Sequence, residues 1–306
     1  MPMYSCFGIT VDSSIPLPDL EGAGPGATAD VTVRERPVEA RPAAAVRAVP
    51  GLWWHRGEVW LEAPGTGRFV ARDGSTVVVE REPGVSDGDV RIFVLGTMLG
   101  AILRQRGHLV LHGNAFDCGA SAAIVVGHSG AGKSTLAAEL DRRGLPVLSD
   151  DVVPIDAAGV AAPGYPRIKL WADALQDLGL DTAGFERITD GHDKFHVPLS
   201  RSGIAPLAAE FVYVLETHDR PSLELSEVTG MAAYEALRTH TYRGELLVDP
   251  ADEWQHLRQC ADLAARARIV RVVRPAATMT AAATADAILA DIAGTRGLRT
   301  PEDVRR

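Results

Sequence analysis

Over residues 1–90, short runs alternate between apolar and polar positions, the two-residue period of half-buried strands. Residues 4–11 and 30–36 read as strands, and so do 53–54 and 59–61 on either side of a polar turn. Residues 69–72 and 76–80 enclose Asp73-Gly74, a hairpin signal because glycine accepts positive φ. Stretches 22–26 and 37–42 read as surface loops. The period then lengthens. Apolar residues at 92, 95, 98, 99, 102 and 103 follow helical spacing, and Gly107 suits the helix end. Beyond it, two apolar strands (108–112 and 122–126) precede a helix over 134–143 and a strand over 145–149. That order of strand, loop, helix and strand is the unit of an α/β nucleotide-binding fold. The pattern continues with a helix at 171–178, strands at 210–216 and 223–228, and helices at 232–239 and 252–266. A strand at 269–273, an Ala-rich helix at 279–292 and a tail at 301–306 complete it. The expected class is α/β, with a β-rich N-terminal unit over 1–90 and a second unit over 91–306.

Composition narrows the function classes. The 306 residues carry a net charge of −9, which argues against nucleic acid as the main partner. No apolar run reaches membrane-spanning length and the first residues lack a signal-peptide pattern, so no membrane partner is expected. Cys6, Cys118 and Cys260 stand far apart, which suits a reducing cytoplasm and excludes a disulfide framework. Of 31 basic residues only Lys133, Lys169 and Lys194 are lysine. Arginine serves almost everywhere else, so each lysine is the more informative, since a compact ammonium differs from a planar guanidinium where space is tight.

The chemistry starts at Gly127-His128-Ser129-Gly130-Ala131-Gly132-Lys133-Ser134, which fits the phosphate-loop pattern G-x-x-x-x-G-K-[ST] between an apolar strand and a helix. Its glycines let backbone N–H groups turn around phosphate oxygens, and the following helix points its positive end at the same anion. Lys133 would reach the outer phosphates of ATP, and the Ser134 hydroxyl would ligate Mg²⁺. Asp150-Asp151 ends the next apolar strand, where one carboxylate can hold Mg²⁺ and the other accept a proton; a solvated turn is the plain alternative. His112 ends the strand before the loop, a place for a hydrogen-bonded core histidine or a catalytic one.

Leu111-His112-Gly113, the loop 127–134 and Leu148-Ser149-Asp150-Asp151 together resemble the catalytic core of the HPr kinase/phosphorylase family, over about residues 108–155. Thr135 stands where that family has Glu, and the family's downstream substrate signature and N-terminal domain are not evident. The start, Phe7-Gly8-Ile9-Thr10 with Ile15-Pro16-Leu17-Pro18, instead resembles a divergent branch whose members include kinases of natural-product precursor peptides, lasso peptides among them. The resemblance implies an HPr-kinase-like P-loop core, phosphate binding by residues 127–135, base or metal roles for Asp150 and Asp151, and a supporting role for His112. It also implies ATP and Mg²⁺, a peptide or small-protein acceptor and a homo-oligomer, since relatives form hexamers.

Two further segments are basic. Residues 166–171 place Arg167 and Lys169 on one face of an extended stretch, and 193–198 do the same for Lys194 and His196. Arg167, Lys169 and Lys194 are therefore candidates to touch phosphate or an acidic acceptor, with ordinary surface charge as the alternative. The expectation is an ATP- and Mg²⁺-dependent serine/threonine kinase. Asp150 serves as base, Asp151 and Ser134 hold metal, Lys133 neutralises phosphate, and the two Asp roles are exchangeable. The rival readings are a small-molecule alcohol or sugar kinase and a non-catalytic nucleotide-binding module.

Overall fold

The computed structural model describes residues 2–165, 167–189, 192–199, 205–276 and 281–296. It is a mixed α/β chain with two large sheets and a small one. The expected tail at 301–306, and residues 279–280 of the expected last helix, lie outside the described residues.

The first sheet contains β1 (Met3–Cys6), β2 (Ile9–Ser13), β3 (Glu21–Gly22), β4 (Val31–Glu35), β5 (Val46–Val49), β6 (Leu52–His55), β7 (Glu58–Ala63), β8 (Gly67–Arg72) and β9 (Thr76–Arg81). Their order is β3-β1-β2-β4-β9-β8-β7-β6-β5. Asp73-Gly74 makes the expected hairpin turn, with both φ values positive (57° and 60°), and Arg56-Gly57 repeats the device. The run 4–11 is not one strand but two. Phe7-Gly8 turns it back on itself at φ 52° and 74°. Apolar periodicity hides that turn because Phe7 is itself buried in the core, which offsets the cost of its left-handed backbone.

The predicted helix at 92–106 starts earlier and is interrupted. It comprises α1 (Asp87–Phe93), a π-turn over Val94–Met98 and α2 (Leu99–Gln105). Ser86 caps it, its Oγ accepting from the Asp89 amide. Val90, Val94, Leu99 and Ile102 bury against the first sheet in a core that also takes in Val110, Val152 and Tyr165 from the second half. The helix is thus the seam between the halves. At the π-turn, Gly96 and Gly100 face Tyr242; a Cβ on Gly100 would meet the Tyr242 ring at 2.8 Å.

The remaining strands are β10 (Leu109–Leu111), β11 (Gly113–Asp117), β12 (Ala122–Gly127), β13 (Val147–Asp150), β14 (Val153–Ile155), β15 (Val160–Ala161), β16 (Arg167–Trp171), β17 (Glu186–Thr189), β18 (His192–Pro198), β19 (Leu207–His218), β20 (Glu224–Glu227) and β21 (Arg268–Pro275). The helices are α3 (Lys133–Arg142), α4 (Ala172–Asp177), α5 (Gly230–Thr239), α6 (Pro250–Arg266) and α7 (Ala281–Thr295). Across the centre of the second sheet the order is β13-β11-β12-β19-β21. β12, β19 and β21 run parallel, while β11 lies antiparallel to both β12 and β13. The sequence pattern misses β11. The stretch is buried along most of its length, so alternation, the usual strand signal, is absent. Its insertion leaves β13 pointing the same way as β12, because two antiparallel pairings cancel. The ends of both strands therefore open on one edge of the sheet. α3 seals one face: Leu136 and Leu140 pack on Val125, Tyr213 and Val272 and on Ile288 of α7. Truncating Leu140 to Ala would cost about 2–5 kcal/mol. β16-β18-β17 form the small sheet beside this edge.

Candidate functional site

β12 delivers the chain into residues 127–132, and α3 leaves from Lys133. Gly130 and Gly132 adopt φ of 81° and 91°, a backbone that turns successive N–H groups toward one side. Gly127 has no room for a side chain: a Cβ would lie 2.8 Å from the Leu215 carbonyl. His128, Ser129 and Gly130 are exposed at the tip, whereas Ala131 and Lys133 are buried. The Lys133 Nζ crosses the loop and donates to the carbonyls of Gly127 (2.7 Å) and His128 (3.2 Å). Burial lowers its pKa against the opposing pull of Asp151 and Asp150. Ser134 and Thr135 open the helix at the same mouth.

Register sets the distance to the acids. Asp150 pairs with Asn114, and Asn114 pairs with Val125, so Asp150 stands two strands from the end of β12 at nearly the same height. That separation is about 10 Å, the space that a row of phosphates needs. Asp150 is 4 % exposed. One of its oxygens accepts from the Asn114 amide and the other from the Lys169 backbone N–H at 2.8 Å. Burial pushes its pKa up to about 6, and the charge on Asp151 adds to the rise. The Asn114 carbonyl oxygen is buried with no partner among the described residues, an acceptor suited to a hydroxyl or a metal-bound water.

Asp151 has the opposite character. It is the centre of a three-residue turn in which the Val152 amide donates to the Asp150 carbonyl at 2.8 Å, and its φ is 71°. For a side chain other than glycine this backbone is strained, and the carboxylate lines the cleft. The Ser149 hydroxyl closes the turn with a 2.6 Å bond to the Val152 carbonyl. The Asp151 carboxylate meets Lys169 Nζ at 3.2 Å and His112 Nδ1 at 3.2 Å. Burial alone would raise its pKa, but His112 and Lys169 outweigh burial and hold it well below the usual carboxylate range. Two adjacent acids thus have divergent proton affinities, the arrangement that separates a proton acceptor from a permanent anion.

The phosphate loop, both acids, His112 and Lys194 line one cleft of about 930 Å³. Lys133 also lines it, and Lys169 reaches it only through its ion pair with Asp151. Lys194 lies 5.6 Å from the centre of the half-exposed Trp171 ring. Arg167 departs from expectation. Its Nη1 bonds Asp19 at 2.8 Å, and it does not line the cleft. β16 alternates: Ile168 and Leu170 turn into the core, whereas the basic residues face the other way, each claimed by a different acid.

Two site residues, Asn114 and Arg274, escaped the sequence reading. Asn114 sits on the hidden β11. Tyr242, which the sequence offered as a residue able to approach the site, forms a wall beside His112, with ring centroids 5.9 Å apart. Arg274 lines the cleft from the far flank, and its Nη2 donates to the Ala131 carbonyl at 2.8 Å. Extending the strand at 269–273 by one residue would have placed it on the α3 face with Val270 and Val272. The glycine-built turn beside Lys133 has the chemistry of an anion site, and Ser134 and Asp151 both line the cleft as oxygen donors of the kind a hard cation takes.

No family model and no curated protein matches the chain. Among the described residues no helix is long and apolar enough to cross a membrane. Among solved structures, the chain is similar to the Hpr(Ser) kinase/phosphatase from Coxiella burnetii, at 11 % identity over 61 % of this chain and 93 % of that one, with a TM-score of 0.29.

Proposed function

We propose that the protein is an ATP- and Mg²⁺-dependent kinase that phosphorylates a serine or threonine hydroxyl of a peptide or small protein. One observation carries the reading: a glycine-built phosphate loop and a pair of electrostatically distinct carboxylates open on the same cleft. In the reaction, the acceptor oxygen bonds to the γ-phosphorus as the bond to the β–γ bridging oxygen breaks. ADP leaves with that electron pair, and Asp150 takes the hydroxyl proton. An acid with a pKa of about 6 holds such a proton yet stays mostly ionised near neutrality. Ser134 and Asp151 would hold Mg²⁺, which when bound neutralises phosphate charge. His112 and Lys169 keep Asp151 anionic for that task, and Lys133 offsets charge on the transferring group. The N-terminal sheet, joined to the site through the seam helix, is the candidate docking surface for the acceptor.

The test is incubation with γ-labelled ATP and candidate peptides encoded beside this gene, followed by mass spectrometry. Phosphate on a Ser or Thr of one peptide is the expected result. Label on a metabolite with no peptide labelled would replace the acceptor class by a small alcohol or sugar. Tight ATP uptake with no label on any acceptor would mark a non-catalytic nucleotide-binding module.

A further inference from the structure

Besides Arg142, which Glu139 pairs, four basic side chains outside the phosphate loop stand in or near the cleft, and they are not equivalent. Arg167 is held by Asp19, and Lys169 is held by Asp151. Lys194 lies over Trp171 on the acid flank. Arg274 comes from the opposite flank, where β21 lies two strands beyond β12. Register puts Leu215 beside both Gly127 and Val272, so Arg274, still paired with Thr217 of β19, stands two residues beyond the end of β12, level with the loop. Its guanidinium rests on Gly132, where a Cβ would meet Nη2 at 2.8 Å, and bonds the Ala131 carbonyl. No acid among the described residues forms an ion pair with it. Burial lowers its pKa with no opposing carboxylate, unlike the arginines at the surface pairs.

A half-buried guanidinium fixed by one nitrogen to the rim of an anion loop, its charge not neutralised by a described acid, suits a multiply charged oxyanion. We propose that Arg274 is a second phosphate-binding residue, gripping the terminal phosphates of a nucleoside triphosphate from the β21 flank. The proposal rests on the kinase reading above and gives the cleft a direction. The nucleotide is anchored from the Arg274 side, and the acceptor enters from the side of Asp150, Trp171 and Lys194.

The experiment is calorimetric titration of the full chain with ATP, ADP and AMP, for wild type, Arg274→Gln, Arg274→Lys and Lys133→Ala. Gln keeps a donor for the Ala131 carbonyl but no charge, so it separates loop support from phosphate contact. Arg274→Gln is expected to lose about tenfold or more in affinity for ATP and ADP. AMP binding and the melting temperature stay near wild type, and Arg274→Lys recovers part of the loss. ATP and ADP affinities unchanged in Arg274→Gln, while Lys133→Ala loses them, would overturn the Arg274 assignment and leave the kinase reading standing. An equal loss for all three nucleotides together with a lower melting temperature would make Arg274 a loop support only. Absence of ATP uptake by wild type would sink both.

Discussion

The two flanks of the phosphate loop are built differently. On the acid flank, every reacting group is fixed by others drawn from separate elements. Asn114 of β11 and the β16 backbone hold Asp150, and His112 and Lys169 hold Asp151. The network continues outward through Asp19, which joins Arg167 of β16 to Arg91 of α1. On the other flank one side chain, Arg274, reaches the loop with a single bond to it. On the proposed kinase reading, the acid flank has to place a proton and a metal within narrow limits. The basic flank needs only charge within reach. Proton transfer tolerates little displacement, whereas attraction to a polyanion falls off slowly with distance.

The contrast can be tested at its centre first. Lys133→Ala, common to both flanks, should reduce phosphoryl transfer by about 10³-fold or more and weaken ATP binding, read by steady-state kinetics and calorimetry. Asp150→Asn isolates the acid flank. It should lower kcat by roughly 10²–10⁴-fold while ATP affinity stays within about threefold, and an unaltered kcat would take the base role away from Asp150.

A smaller effect is expected from the histidines that lie behind the acid flank. His256 Nε2 donates to Thr241 Oγ1 at 2.7 Å, because that hydroxyl already gives its proton to the Leu237 carbonyl. Burial lowers the pKa of His256 to about 4, with Arg238 and Arg104 adding to it. Burial does the same at His240, beside His128, Lys133 and His112. Both are lower in the folded state than the ordinary 6.5, so the unfolded chain binds more protons between those values. Their contribution to stability is complete above about pH 6.5 and is lost as pH falls toward 4, by on the order of 2–3 kcal/mol per group. Urea unfolding at several pH values measures it, and His256→Gln should flatten part of the slope.

The outermost link gives the smallest change. Asp19→Asn leaves the Arg167 guanidinium without its closest partner and should cost about 1–2 kcal/mol of stability. Turnover should fall several-fold with ATP affinity unchanged. Loss of ATP affinity instead would show that the two flanks are mechanically coupled rather than separate.

Much of this molecule is legible along the chain. Local rules sufficed for the Asp73-Gly74 hairpin, the loop of 127–134, the helix that follows and the acid pair at the end of an apolar strand. Each is specified by residues within about ten positions of one another, by φ preference, hydrophobic period or helix polarity. Of the three lysines, Lys133 and Lys194 line the cleft and Lys169 pairs with Asp151 at its edge. The strand β11 was not legible, because a buried strand has no polar face to mark it. Neither were the fate of Arg167, the contact of Tyr242 with His112, or the reach of Arg274 across two strands. Those depend on which strand pairs with which, and pairing partners are chosen by long-range packing that no local period records. The chain alone therefore fixes which groups are available for phosphate chemistry. The tertiary structure decides which acid is held anionic, which has its proton affinity raised, and on which flank Arg274 stands, because burial and register set the local field at each group.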